Sequence, residues 1–374
     1  MTPPPFAVVS GGGTGGHVFE ALAIARALER RGHDPSTIEL VGSRRGQEAT
    51  LLAGEGFPFT LLPGRGLVRK WGSEAVATNA GAVAGLAWAA GKELVSLAGR
   101  RPRVVVSVGG YASFPADLAA AALGVPLVLV TIDAVPGLVH RIFARRAAAN
   151  AVAFPGTPLP RAVVTGVAVR PELVAVERGT GRAGAAREAL GLPPERPTVA
   201  VVGGSLGARR LNLAASELRR CWAERKDRSV FHVTGRRNWD DALASGAADI
   251  AGLAYRAVPF ENRMDLVYQA ADVMVCRAGA STVAELTVTG TPAVLVPLPG
   301  APGDHQSANA RALVDAGAAV ALEDGGCDGA RLESVLDELL DDPDRLVGMQ
   351  RAARGLGRPD AADRIAELVE SHAR

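Results

Sequence analysis

Cysteine and aromatic residues are scarce in this chain. The three cysteines, Cys221, Cys276 and Cys327, lie far apart and show no C-x-x-C spacing, so neither a disulfide framework nor a zinc site is indicated. Aromatic residues make up 4% of the sequence while hydrophobic residues reach 48%. The interior is therefore built mainly from Ala, Val and Leu, a composition suited to parallel sheets covered by helices. Neither sign of charge dominates: 41 basic residues face 39 acidic ones, for a net charge of +2. That balance gives no general basis for nucleic-acid binding. The N-terminus, MTPPPFAVVSGGG, has no basic n-region and no long apolar h-region. The most membrane-like stretch, residues 75–91, is mostly Ala and Gly around Leu86 and Trp88, short of the roughly 20 strongly apolar residues of a spanning helix. A cytoplasmic protein is expected, with contact at a membrane surface left open.

At 374 residues the chain is too long for one ordinary core, and two domains are expected. Short β-branched runs recur, each followed by glycines and then a helical pattern. Residues 6–10 lead into the glycines of 11–16 and a helix near 18–30. Residues 38–42 follow, with a helix near 47–55. Residues 104–108 lead into Gly109-Gly110 and a helix near 116–123, then a strand at 126–130. The pattern restarts at 198–202, which leads into Gly203-Gly204-Ser205 and a helix near 209–222. Further strands are expected at 230–234, 257–258, 273–276, 293–297 and 319–322. Strand alternating with helix means parallel sheet with right-handed crossovers. The fold class is α/β with two similar doubly wound halves, joined near 163–182. The tail, 345–374, reads as helical with a break around Gly355, Gly357 and Pro359.

Two glycine turns fall in the first half. Gly11-Gly12-Gly13-Thr14-Gly15-Gly16-His17 ends the first strand and opens a helix. Glycines let the backbone approach a ligand closely, and a helix N-terminus offers unpaired N–H groups and positive potential. The spacing is not G-x-G-x-x-G followed by a ribose-binding acid, since Gly42-Ser43-Arg44 follows the second strand, so a dinucleotide site is disfavoured. His17, directly after the loop, is a candidate base, against the plainer role of a helix cap. Gly109-Gly110-Tyr111-Ala112-Ser113-Phe114-Pro115 repeats the geometry. Two such loops suit a diphosphate, although two ordinary tight turns would look the same.

The second half carries two further blocks. Gly203-Gly204-Ser205-Leu206-Gly207-Ala208 follows a strand and opens a helix, so its N–H groups and the Ser205 hydroxyl can hold a phosphate. Cys276-Arg277-Ala278-Gly279-Ala280-Ser281-Thr282-Val283-Ala284-Glu285 places Glu285 one turn into a helix. A carboxylate there can accept ribose hydroxyls, or simply benefit from the helix dipole. Asp304-His305-Gln306-Ser307-Ala308-Asn309 follows, with Gln306 at a helix start where it can reach sugar hydroxyls. Asp342-Pro343-Asp344 matches a metal-binding D-x-D pattern only formally, because it sits between two helical stretches, and is read as a turn.

Taken together and in this order, these blocks resemble the MurG family of glycosyltransferase family 28, over essentially the whole chain. The resemblance implies a GT-B fold, two Rossmann-like domains facing a central cleft. Residues 1–168 would form an acceptor and membrane-side domain and 169–351 a UDP-sugar domain, with the last helix, 352–374, able to return to the first. It implies inverting transfer of N-acetylglucosamine from UDP-N-acetylglucosamine to lipid I, with no metal or other cofactor and no nucleic-acid partner. By analogy Thr14, Gly15 and Gly16 line the diphosphate and donor sugar, with Gly109, Gly110 and Tyr111 beside them. Ser205 and Arg170 contact phosphates. Ala280, Ser281, Thr282, Val283, Ala284, Glu285 and Gln306 hold ribose and sugar. Phe260 and Glu261 frame uracil.

The chain departs from the family pattern at four places. Val130-Thr131-Ile132-Asp133 replaces His-Glu-Gln-Asn, which makes Asp133 a second candidate base. Leu206 stands for Gln, Glu20 for Pro, and Gly166-Val167-Ala168-Val169-Arg170 for Gly-Asn-Pro-Val-Arg. A paralogue with another lipid or small-metabolite acceptor, and a nucleotide-sugar-binding protein without catalysis, share the same motifs. A lipid-linked acceptor requires a membrane-facing surface. The segment GRGLVRKW places Leu67, Val68 and Trp71 among basic residues, suited to the anionic cytoplasmic face of a membrane, or equally to a solvated loop.

Overall fold

The computed structural model describes residues 4–12, 15–44, 52–63, 73–204, 207–239 and 252–374, and of residues 15, 73–77 and 180 the backbone alone. Thr14, Ser205, Leu206, Leu67, Val68 and Trp71, and most of the helix expected at 47–55, lie outside the described residues. Two compact units divide the chain: Met1–Val169 with Pro359–Arg374, and Arg170–Arg358.

In the first unit the strands are β1 Ala7–Gly11, β2 Ile38–Ser43, β3 Phe59–Leu62, β4 Val104–Gly109, β5 Leu127–Thr131, β6 Ala149–Val152 and β7 Ala162–Val164. They pair in the order β3-β2-β1-β4-β5-β6-β7, all parallel. The helices are α1 Gly15–Arg30, α2 Ser73–Arg100, α3 Phe114–Leu123 and α4 Leu138–Phe143. The central strands VVVSVG and LVLVT are buried at every position, which is why their sequences are almost uninterrupted apolar runs. Ala116, Ala119 and Ala120 of α3 pack with Ala89 and Leu97 of α2, where small side chains allow the helices to approach closely. Gly124, left-handed at φ 67°, ends α3 and returns its N–H to the Ala120 carbonyl.

The second unit contains β8 Thr198–Val202, β9 Ser229–Val233, β10 Ala254–Val258, β11 Val273–Cys276, β12 Ala293–Leu295 and β13 Ala319–Ala321, ordered β10-β9-β8-β11-β12-β13. Its helices are α5 Pro171–Val174, α6 Thr180–Ala189, α7 Arg209–Cys221, α8 Met264–Ala270, α9 Ala280–Thr289, α10 His305–Asp315, α11 Gly329–Leu340 and α12 Pro343–Leu356. Trp222 is fully buried in its core among Leu218, Leu253, Leu332 and Leu336. Asp342 starts α12, accepting the Arg345 N–H at 2.9 Å with Pro343 in the first turn, so the D-x-D motif is a helix cap.

The last helix, α13 Ala361–His372, belongs to the first unit and packs on α1. Its buried Ile365, Ala366 and Val369 supply the attachment. Ion pairs of Arg31 with Glu370 (2.8 Å) and Arg30 with Asp363 (2.9 Å) are solvent-screened and contribute chiefly register. Among the described residues no helix is long and apolar enough to cross a membrane.

Candidate functional site

Both sheets reverse their strand order once, between β1 and β4 in the first unit and between β8 and β11 in the second. In open parallel sheets a ligand binds beyond the carboxyl ends of the strands at such a reversal. The two glycine turns of the first half leave β1 and β4, and the Gly203 and Arg277–Glu285 blocks leave β8 and β11. All four blocks therefore stand at the switch points.

In the first unit the two turns are in contact. Gly110 has φ +79°, and a Cβ built on it would lie 2.4 Å from the Gly12 carbonyl oxygen and 3.5 Å from His17 Nδ1. Only glycine permits that backbone conformation and that approach. Gly16 and His17 lie in the first turn of α1. Tyr111 reaches back to β2, its hydroxyl 2.9 Å from Ser43 Oγ. Asp133 is half-buried just beyond the end of β5.

Behind the turns lies a buried polar chain absent from the candidates read in the sequence. Thr131 Oγ1 is 2.7 Å from His140 Nδ1, His140 Nε2 is 3.3 Å from Ser107 Oγ, and Ser107 donates to Asp117 Oδ2 at 2.8 Å. Ser107 gives its one proton to Asp117, so His140 donates from Nε2 and accepts the Thr131 hydroxyl at Nδ1. Burial lowers the His140 pKa to about 3, assisted by the neighbouring charge of His17, so its ring is neutral. Burial raises Asp117 to about 7, against hydrogen bonds from Ser107 and Ser113. The His140 ring lies 3.1 Å from where a Gly109 Cβ would be, so the chain braces the glycine turn that touches His17. A histidine three residues after Pro136-Gly137, in the first turn of a helix, was the local signal in the sequence.

Glu20 also lies on α1 and is 2% exposed. Its carboxyl accepts the Ala168 N–H at 2.9 Å, and burial raises its pKa to about 8 despite that bond.

In the second unit, Glu285 accepts the Tyr268 hydroxyl at 2.8 Å, and Arg170 approaches its other oxygen at 3.6 Å. Burial raises the Glu285 pKa and the Arg170 charge opposes it. Arg170 and Glu285, distant in sequence, thus belong to one cluster. Ala280, Val283 and Ala284 are buried while Ser281 and Thr282 are half-exposed. The first turn of α9 therefore presents backbone N–H groups and two hydroxyls. Gln306 accepts the Leu298 N–H at 2.9 Å through its carbonyl oxygen, which directs its amide nitrogen toward other partners. Phe260 is exposed beneath Arg236, whose guanidinium carbon lies 4.7 Å from the ring centroid. Glu261 accepts from the backbone and side chain of Arg263. Burial would raise its pKa, but these bonds outweigh it and the carboxylate is held below its usual range. Gly203 and Gly207 pack on the Ala208 N–H and the Thr234 carbonyl so closely that a Cβ on either would collide.

Two doubly wound units, each with glycine turns at its switch point, form the architecture of the GT-B fold. The glycosyltransferase family 28 N-terminal domain matches residues 7–152 and the family 28 C-terminal domain residues 198–365. UDP-N-acetylglucosamine--N-acetylmuramyl-(pentapeptide) pyrophosphoryl-undecaprenol N-acetylglucosamine transferases from Desulforudis audaxviator and Acidothermus cellulolyticus are 37% and 40% identical to the chain. The first match covers 97% of both chains, the second 98% of this chain and 97% of the relative. The crystal structure of Acinetobacter baumannii MurG superposes with a TM-score of 0.76 at 29% identity, covering 98% of each chain. A glycotransferase of kitacinnamycin, at 18% identity and a TM-score of 0.67, shares the fold. The chain belongs to glycosyltransferase family 28, in its MurG branch.

Proposed function

We propose that the protein transfers N-acetylglucosamine from UDP-N-acetylglucosamine to lipid I, forming the disaccharide precursor of peptidoglycan. The observation that carries this reading is a titratable side chain at the switch point of each unit: His17 against Gly110, and Glu285, paired with Arg170, on the helix that follows β11. The second unit holds the donor. Glu285 accepts ribose hydroxyls, Arg170 and the glycine turn with Ser205 meet the diphosphate, and Ser281, Thr282 and Gln306 bind sugar. Phe260 and Glu261 border uracil. The first unit takes the acceptor.

An acceptor hydroxyl attacks the anomeric carbon while uridine diphosphate departs, inverting the configuration. His17 removes the hydroxyl proton, and in the second unit the glycine turn that opens at Gly203, with Arg170, stabilises the charge on the leaving diphosphate. Asp133, just beyond the end of β5, is the second candidate base on the acceptor side.

A lipid-linked acceptor brings the enzyme to the cytoplasmic face of the membrane. Along α2, Val83, Trp88 and Val95 are 56%, 70% and 75% exposed, and on α4 Leu138 and Ile142 flank Arg141. Exposed apolar residues beside basic ones suit an interface with anionic headgroups. The test of the function is transfer of labelled N-acetylglucosamine to a lipid I analogue, lost in His17→Ala.

A further inference from the structure

We propose that the second unit carries a separate binding site for a phosphate group, at the opposite end of its sheet from the donor turn. A cavity of about 170 Å³ is lined by Gly191, Leu192, Arg219, Leu253, Tyr255 and Arg256. It opens where β10 begins, whereas the Gly203 turn and the Glu285 block follow the ends of β8 and β11. In a parallel sheet these are opposite edges, so the cavity is no extension of the donor site.

Its chemistry is cationic. Arg219 is 5% exposed, its guanidinium lies 4.9 Å from the Tyr255 ring centroid, and its Nε has no hydrogen-bond partner among the described residues. A largely buried arginine with no carboxylate partner among the described residues is costly, and an anion bound in the cavity it lines lowers that cost. Tyr255 does not serve as the anion, since burial pushes its pKa to about 12. Its hydroxyl is instead committed to His232 Nδ1 at 2.6 Å, His232 Nε2 to Asn212 Oδ1 at 3.0 Å, and Asn212 Nδ2 to the Thr234 carbonyl at 2.9 Å. The wall under Arg219 is therefore rigid and neutral, with burial holding His232 near pKa 4.

Arg256 supplies the second guanidinium from β10, the edge strand. Its Nη1 lies 2.0 Å from where a Gly191 Cβ would be, and Gly191 has φ +73°. The absence of a side chain at Gly191 makes the seat for this guanidinium. Among the described residues no Asp or Glu lines the cavity. Two arginines around a volume that admits a phosphate or diphosphate group form a fork suited to phosphoryl oxygens.

The phosphoryl group can belong to a soluble molecule or to a lipid headgroup, and two arms separate these sources. In the first, calorimetry follows inorganic pyrophosphate binding to protein held in excess UDP, which occupies the donor turn. In the second, phosphatidylglycerol vesicles are sedimented with the protein. Arg256→Gln is the main variant, because Arg256 is exposed and its loss leaves the core intact; Arg219→Gln is the companion. For a soluble ligand, Arg256→Gln weakens pyrophosphate binding tenfold or more and leaves vesicle binding unchanged. For a lipid headgroup it lowers vesicle binding instead. Sugar transfer by Arg256→Gln, measured without added phosphate, stays at the wild-type level. If Arg256→Gln alters neither pyrophosphate nor vesicle binding, the site does not exist.

Discussion

The Glu20 carboxyl accepts the backbone N–H of Ala168 at 2.9 Å, out of contact with water. Both residues stand where the family pattern has proline. A proline at 168 has no N–H to satisfy, whereas Ala168 exposes a buried donor that needs an acceptor. Two departures that looked independent in the sequence are thus one compensated pair.

This pair predicts a pH dependence. The Glu20 pKa is raised from 4.5 to about 8 in the folded protein. Between these values the folded state holds a proton that the unfolded state has released. Stability is therefore fully present below pH 4.5 and falls as pH rises toward 8, by up to about 1.4 kcal/mol per pH unit. Asp117, raised to about 7, acts in the same direction over a lower window. Glu20→Gln keeps an acceptor for Ala168 and removes the ionisation. Its melting temperature is expected to be flatter than wild type from pH 5 to 8. Glu20→Ala leaves the N–H unpaired and is expected to cost about 1–3 kcal/mol at pH 6 by chemical denaturation.

Gly110→Ala tests the contact between the two turns. The new methyl would meet the Gly12 carbonyl at a distance no Cβ tolerates, in a left-handed conformation. The expected result is a lower melting temperature together with loss of transfer. Unchanged activity would show that the turns need not touch.

Glu285→Ala removes a carboxylate and leaves Arg170 without that partner. Loss of a charge-assisted hydrogen bond to ribose costs on the order of 1.5–3 kcal/mol, about 10- to 150-fold in affinity. Calorimetry with UDP reads this directly. Full affinity would remove Glu285 from the donor site.

Trp88→Ser on α2 is expected to reduce sedimentation with anionic vesicles, and high salt to reduce it further. Vesicle binding indifferent to both would place the membrane contact elsewhere.

Much of the fold was legible because strands buried on both faces must be apolar and switch-point turns must be glycine-rich. Residues 104–108 and 198–202 announced themselves in this way. The short strands β3, β6 and β7, three or four residues long, have no periodicity to detect. The Thr131–His140–Ser107–Asp117 chain was also hidden. Its members come from β5, α4, β4 and α3, and only the folded sheet brings them together. The same holds for Arg170 and Glu285, which were read separately as phosphate and ribose contacts before their ion pair was visible. The coupling of Glu20 to Ala168 is likewise non-local, since nothing along the chain links α1 to the segment after β7.

The most direct test measures transfer of radiolabelled N-acetylglucosamine from its uridine-diphosphate donor to a lipid I analogue, for wild type and His17→Ala, with UDP affinity determined in parallel. The account predicts disaccharide product with wild type. It predicts turnover lower by about 10²–10⁴-fold in His17→Ala, with UDP affinity unchanged. Wild type that binds UDP yet forms no product, or His17→Ala that turns over at the wild-type rate, would contradict it.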